Sequence, residues 1–368
     1  TPRSSSAASD VYKRQAGILL TMIYHRYTMD LLQAAWMVRN LGQPVSALKI
    51  DKNQSIIAGG WNGLLTKWDS EGDCEWSVQC SDRIESIMCV GEDIFVTSGL
   101  DIACVRNGEI RWSQKLEGSA DLLEYHDGKI VSTSSVYDIE HGDFMESGIW
   151  EFTLDGELKS VTRLDEKPWY IYSGKELILG LGRPRCGAIF DSEHRVLATN
   201  SPVTCGVASK SGVISGHADG TMSNEFGEEL IRFQTSIESI SFLDEMAVAM
   251  ENGDLVFLGK DNKKLWDTKG NTVSTHTFGF DNLHWCGRWN GLSGTIEVRD
   301  IDGKKISELE TSRPRTSCAI EDRVVFGFES GEVILWEKSL FIRRRDSNTT
   351  HEESHNSDLA AKLRSLRK

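Results

Sequence analysis

Proline is scarce in this chain, 6 in 368 residues, and long apolar runs are missing. The longest apolar stretch, Ala16 to Tyr24, is roughly half of the ~20 residues that a bilayer span requires. Basic charge is short as well: 41 Lys and Arg stand against 55 Asp and Glu, for a net charge of -14. Residues 1–28 and 339–368 each carry a net +3, which leaves -20 on the body between them. So acidic a body repels phosphate backbones, which excludes general nucleic-acid binding by it; only the C-terminal tail keeps that option. No CxxC pair, GxxxxGK[ST] loop, HExxH or GxSxG occurs. The sequence signs of a cysteine zinc site, a phosphate cradle, a zincin and a nucleophile elbow are therefore all missing. The nine His are scattered, with none beside a Cys or Asp at ligand spacing.

The eight cysteines sit singly, at 74, 80, 89, 104, 186, 205, 286 and 318. Several lie in apolar runs, as in Ile87-Met88-Cys89-Val90. They read as small buried hydrophobes in a reducing compartment, so the expected location is cytoplasmic. Hydrophobic residues at 39%, charged residues at 26% and a mean hydropathy of -0.33 fit a folded, soluble chain with no membrane contact.

What the chain does have is glycine, 33 residues, and tryptophan, 11. Frequent Gly without Pro, among short β-rich runs, predicts many tight hairpins. The runs repeat. Ser55-Ile-Ile-Ala-Gly59-Gly60-Trp61-Asn62-Gly63-Leu-Leu-Thr-Lys-Trp68-Asp69 aligns without gaps on Arg323-Val-Val-Phe-Gly327-Phe328-Glu329-Ser330-Gly331-Glu-Val-Ile-Leu-Trp336-Glu337. The same frame recurs around Gly216 to Gly220, Met250 to Gly253 and Gly287 to Gly291. Each frame is an apolar strand, a turn ending in Asn-Gly, Asp-Gly or Ser-Gly, and a second apolar strand. Asn, Asp and Gly tolerate the positive φ that such hairpins need. We name these strands b and c. A second turn, as in Asp69-Ser-Glu-Gly72, leads to a strand d with an aromatic about four residues past the Gly (Trp76, Trp112). A short alternating run before each b, such as Val45 to Ile50, supplies strand a.

Four short strands cannot bury both faces alone, and radial stacking of such sheets is the physics of a β-propeller. Unit starts fall at Val45, Ile84, Ala120, Trp169, Val203, Ile237, Asn271 and Arg315, about 39 residues apart and close to the ~40–45 of a propeller blade. The expected fold is all-β, a propeller of four-stranded antiparallel blades. Eight blades are favoured; seven result if the irregular third and fourth units share one. The last unit has no strand d of its own. Leu31 to Val38, with Trp36, is predicted to pair with Glu332 to Trp336 and close the ring, with a short helix over the same residues as the alternative.

Trp68-Asp69 and Trp336-Glu337 resemble the ending of strand c in WD40 repeats. The d-strand Trp four residues after Gly, at Trp76, Trp112 and more loosely Trp266, resembles the PQQ-like (quinoprotein-dehydrogenase-like) propellers. The resemblance covers about 45–338 and implies a scaffold or assembly factor on such a propeller. Quinoprotein dehydrogenases carry adjacent cysteines over the quinone, and this chain has no Cys-Cys pair. No cofactor and no enzyme activity are therefore expected. Thr1 to Gln15 resembles a translated adapter of the kind found in metagenomic reads. The expected organisation is a non-native or disordered 1–28, a propeller over 29–338 and a basic linker over 339–368. That linker holds a short amphipathic helix from Asp358, with Leu359, Leu363 and Leu366 on one face.

A partner would meet the rim that gathers the b–c turns and the d–a connections. Candidate contacts there are Trp61, Asn62, His217, Asp219, Arg288 and Trp289, since Trp and Arg are common binding hot spots. The alternative for the two tryptophans is packing over neighbouring turns. Two turns depart from the repeat, and long insertions on one face of a repeat protein are often functional. The acidic one offers Asp138, Glu140 and Asp143 for a protein contact, for Ca²⁺ (without a full calcium-loop pattern) or for solvent alone. The other offers Arg183 and Arg185, which could fork onto a ligand carboxylate or phosphate or onto the acidic body. The leading expectation is a monomeric, non-catalytic interaction scaffold with a protein partner on this rim. The alternatives are a small-molecule-binding or catalytic propeller using the channel mouth, and a ribonucleoprotein factor tethered by its tail.

Overall fold

The glycine-punctuated runs become strands in the order a, b, c, d, and each set of four makes one sheet. The computed structural model describes residues 29–347, which form eight four-stranded antiparallel sheets in succession. Strand a starts at Val45, Ile84, Ser119, Pro168, Val203, Ile237, Thr272 and Pro314. Each lies within one residue of the start read from the sequence. The third and fourth units are separate blades, 119–164 and 168–195, so the fold is an eight-bladed β-propeller. We number the blades 1 to 8 from Val45.

Local chemistry sets the c–d turns. In blade 1, Asp69 Oδ1 accepts the N–H groups of Glu71 and Asp73 at 3.0 and 2.8 Å, and Gly72 takes φ +89°. In blade 7, Asp300 does the same for Asp302 and Lys304 at 3.1 and 2.8 Å, with Gly303 at φ +83°. The Asp of the Trp68-Asp69 pair thus organises a turn.

Blades hold together through apolar clusters shared by neighbours. Between blades 2 and 3, Phe95, Ile102 and Cys104 pack with Ile130, Trp150 and Phe152. Each such side chain contributes roughly 1.5–3 kcal/mol on burial. The d-strand tryptophans seal the outer edge of several junctions. Trp112 of blade 2 gives its Nε1–H to the Leu154 carbonyl of blade 3 at 2.9 Å, and Trp266 of blade 6 to the Ile301 carbonyl of blade 7 at 2.7 Å.

The ring closes with an N-terminal strand, as expected, but further along the chain. Met37–Asn40 pairs antiparallel with Glu332–Glu337, in the register Met37 to Leu335 and Asn40 to Glu332. Residues 31–34 form a turn instead, and Leu31 and Ala34 are buried. The strand reading therefore holds over Met37–Asn40, and the helix alternative does not, since no helix forms over 31–38. Trp36 keeps the aromatic role, its Nε1–H directed to the Ser70 carbonyl at 3.4 Å.

A linker was expected from 339, yet 338–347 is a helix. Its Phe341 is fully buried against Phe280 and Trp285 of blade 7, at ring distances of 5.2 and 5.5 Å. Glu337 caps it, accepting the N–H groups of Ser339 and Leu340 at 3.0 and 3.1 Å. The segment 1–28 and the amphipathic stretch from Asp358 lie outside the described residues. All eight cysteines are free, and four of them (80, 104, 186 and 286) are buried. Burial pushes the Cys80 thiol up to about 11 and the Cys286 thiol to about 12.

Candidate functional site

The b–c turns and d–a connections do share one face. A Cβ at Gly63, in the first b–c turn, would lie 2.7 Å from the Cys80 carbonyl and 2.8 Å from that of Asp82. Trp61, on the same turn, gives its N–H to the Pro44 carbonyl at 2.9 Å.

Trp61 is half-buried between two guanidinium groups, Arg83 at 4.1 Å and Arg315 at 4.3 Å from its ring centre. Arg83 pairs with Glu85 at 2.8 Å and Arg315 with Glu329 at 2.7 Å. The packing alternative holds for Trp61, although the stack still lies on the rim. Asn62 is exposed, and its backbone is engaged by Gln43 Oε1 and, at 2.5 Å, by Gln79 Nε2. Trp289 is half-buried below Arg313, at 5.8 Å. The exposed tip of that turn is Leu292, 92% accessible.

Two rim candidates are structural. Arg288 is 4% exposed and directs its donors inward, to the Gly253 and Asn271 carbonyls at 2.8 and 2.7 Å and to Thr268 Oγ1 at 2.8 Å. His217 is fully buried, its Nε2 2.8 Å from Ser223 Oγ and its Nδ1 3.2 Å from the Ser201 carbonyl. His217 closes its strand b and Arg288 stands one residue before the end of its own, so neither enters the turn, and both side chains are buried. Asp219 accepts Thr199 Oγ1–H at 2.8 Å and the Thr221 N–H at 3.1 Å. Burial raises its carboxyl, but these bonds outweigh it and leave the group below its ordinary value.

The acidic insertion is a hairpin of ten-residue strands, Lys129–Asp138 and Asp143–Phe152. Its acids do not converge. Asp138 Oδ1 accepts the Glu140 N–H at 2.7 Å while Oδ2 meets His141 Nδ1 at 3.0 Å, and this His141 contact leads in holding the carboxyl low. Asp143 binds the N–H of Phe144, and Glu140 is exposed. Among the described residues, no three His, Cys, Asp or Glu are grouped to hold a metal ion.

What the hairpin displays is apolar. Ile139 is 87% exposed, and Val136 and Tyr137 are exposed beside it. Tyr137 meets Phe144 at 5.2 Å, and Phe144 meets Trp169 of blade 4 edge-on at 5.9 Å. Lys167 lies over both rings, 4.0 Å from Phe144 and 4.9 Å from Trp169, while its ammonium pairs with Asp121 at 3.2 Å. This aromatic group was not legible as a site, because it joins the b–c hairpin of one blade to the start of the next blade's strand a.

The two arginines of the fourth turn separate. Arg185 forks onto Glu166, Nε to Oε1 at 3.0 Å and Nη2 to Oε2 at 3.0 Å, and Glu166 is buried. Arg183 is exposed and forms no ion pair among the described residues. It borders a cavity of about 360 Å³ lined also by Trp169, Asp143, Thr204 and Glu238. The rim therefore carries, side by side, an exposed aromatic group, an unpaired guanidinium and a concave surface near the channel mouth.

No family profile and no curated protein sequence matches the chain. Solved structures match it in fold. BamB from Moraxella catarrhalis is 13% identical, with a TM-score of 0.67 over 82% of this chain and 97% of that one. Sqt1 from Saccharomyces cerevisiae is 12% identical, with a TM-score of 0.67 over 83% and 99%. The Dos1 propeller is 10% identical, with a TM-score of 0.64 over 82% and 94%. At these identities what is shared is the propeller itself.

Proposed function

We propose that this protein is a non-catalytic interaction scaffold that presents its b–c rim to a protein partner. The observation that carries the reading is the blade 3 hairpin, where Val136, Tyr137 and Ile139 stand exposed beside Trp169. Large apolar side chains rimmed by charge mark contact surfaces, and aromatic residues with Arg dominate binding energy in them. Arg183 supplies a cation at the edge of this group that has no ion pair among the described residues. Trp61, held by its own arginines, contributes shape more than energy.

A photo-crosslinking residue at Ile139, compared with one at Leu265 on a distant d strand, tests the rim in native lysate. The expected result is a discrete adduct from position 139 that disappears with Trp169→Ala. Equal adducts from both positions, or none from 139, would refute the reading. The cavity beside Arg183 favours a second reading, a small anionic ligand at the channel mouth. That reading requires ligand binding that Arg183→Ala abolishes while Ile139→Asp leaves it intact.

A further inference from the structure

Among the described residues, indoles from strand d, or from the residue just before it, plug four junctions between blades. They belong to Trp76, Trp112 and Trp266, which lie against Gly108, Gly156 and Gly303, and to Trp36. Trp36, Trp112 and Trp266 donate to Ser70, Leu154 and Ile301, the second residue of the next blade's c–d turn.

At the junction of blades 5 and 6 the plug is missing. Met222 pairs with Ile231 at the register position where Cys104 faces Trp112 and Phe257 faces Trp266. A groove of about 370 Å³ remains, lined by Phe226, Leu230, Phe242, Met246 and Lys260 among others. The receiving turn is still built. Gly259 N–H donates to the Lys263 carbonyl and Asn262 N–H to the Gly259 carbonyl, both at 2.9 Å, as Asp300 and Gly303 do in blade 7 at 3.0 Å. By that correspondence the Lys260 carbonyl is the counterpart of Ile301. It accepts no hydrogen bond among the described residues.

The junction of blades 7 and 8 shows how this molecule treats such a gap. Ser307 holds the indole position there, opposite Val298. The space is filled by Met29, Leu31 and Phe341 from segments outside the sheets, and Ser307 Oγ donates to the Met29 carbonyl at 2.5 Å. Among the described residues nothing comparable covers the groove at blade 5, and the Phe226 ring at its lip is 76% exposed.

We propose that this groove docks a tryptophan side chain of a partner polypeptide, its indole N–H on the Lys260 carbonyl, from a segment that is basic around that residue. The charge requirement follows from the -20 of the body and from the lip. Glu245 forms no ion pair there among the described residues, whereas Lys210 is neutralised by Asp244 at 2.5 Å. Lys260 is the one lip cation that opposes this, beside the carbonyl it carries. Asn262 stands where Gly108, Gly156 and Gly303 admit the ring, with φ +56°. Its Cβ raises the floor and sets the incoming indole toward Phe226. Trp36 has a similar relation to Gly72: none of the three atoms nearest a Cβ there belongs to it. The site lies on the a–b and c–d face, opposite the proposed rim, so the two readings fail independently.

The test uses the acetylated, amidated pentapeptide KGWGK, with KGLGK and EGWGE as comparators, titrated into the full chain with methyl NMR detection at Leu230 and Met246. KGWGK is expected to shift these methyls with at least tenfold higher affinity than KGLGK and severalfold higher than EGWGE. Asn262→Gly, which lowers the floor, should tighten binding severalfold. Leu230→Lys should weaken it tenfold, and Phe226→Ala, at an exposed ring, gives the same reading should Leu230→Lys fail to fold. Equal affinity for the leucine peptide, shifts away from the groove, or undiminished binding to Phe226→Ala would overturn the proposal.

Discussion

The indole of Trp112 rests on the bare backbone of Gly156 in the following blade, so closely that a Cβ there would stand 2.6 Å from ring carbon Cδ2. Gly156 also has φ +84°, a region that costs an L-residue roughly 1–2 kcal/mol. Gly156→Ala therefore meets two penalties, and Gly128→Ala, at φ +78° with nothing within 4 Å, meets only the first. Thermal unfolding of both variants should show Gly156→Ala destabilised by about 1–3 kcal/mol more, the range for overpacking. Equal losses would mean that the blade junction yields freely.

The same ring depends on its closing strand. Removing residues up to Asn40 leaves Glu332–Glu337 unpaired on its outer side and strips Met37 from the buried cluster it shares with Val333 and Leu335. Three to five ladder hydrogen bonds, at ~1 kcal/mol net each, are lost with it. The shortened chain should melt well below the full one, and its open edge should associate with other copies. A monomer with unchanged Tm in analytical ultracentrifugation and calorimetry would show that the ring closes without this strand.

The fold was legible because its causes are local. Alternation at Val45 to Ile50 and the Asp69 to Gly72 turn set strand and turn without reference to the rest of the chain, and blade starts fall within one residue of the observed ones. The site was less legible because it depends on which way a strand's last residues point. His217 and Arg288 look like turn residues in the repeat frame, yet His217 ends its strand b, Arg288 stands one residue before the end of its own, and both face inward. The pairing of Phe144 with Trp169 joins different blades, and no spacing rule announces it. A signal did exist for the helix at 338–347: Glu337 before Ser339 can cap, and Phe341 is an aromatic with no strand pattern around it.

Arg183 and Arg185 are two residues apart and should respond oppositely to truncation. Arg185→Ala strands the Glu166 carboxylate, which is buried at 3% exposure. Because Arg185 is partly in water, the loss should be about 2 kcal/mol, below the ~3–5 of a fully buried pair. Arg183→Ala removes a guanidinium with no ion-pair partner among the described residues and should leave urea unfolding within ~0.5 kcal/mol of the parent, while weakening whatever binds the rim. Loss of stability in both variants, or in neither, would contradict the assignment of one to the fold and the other to the surface.

Acid should loosen the propeller before most carboxylates titrate, because three imidazoles are held neutral inside it. His276 Nδ1 lies 3.0 Å from His284 Nε2, and His276 Nε2 lies 2.9 Å from Ser239 Oγ. Burial, helped by the charge of Arg288, holds His276 down to about 4 and His284 well below its ordinary value. Burial lowers His217 too. The unfolded chain takes up these protons near pH 6.5 and the folded chain does not, so stability is level above that pH and falls as the pH drops toward 4. The shift of His276 alone amounts to ~3 kcal/mol when complete. Urea midpoints between pH 6.5 and 5, where few carboxylates titrate, should decline steeply in the parent and less steeply in His276→Gln. Equal slopes would place the responsible protons elsewhere.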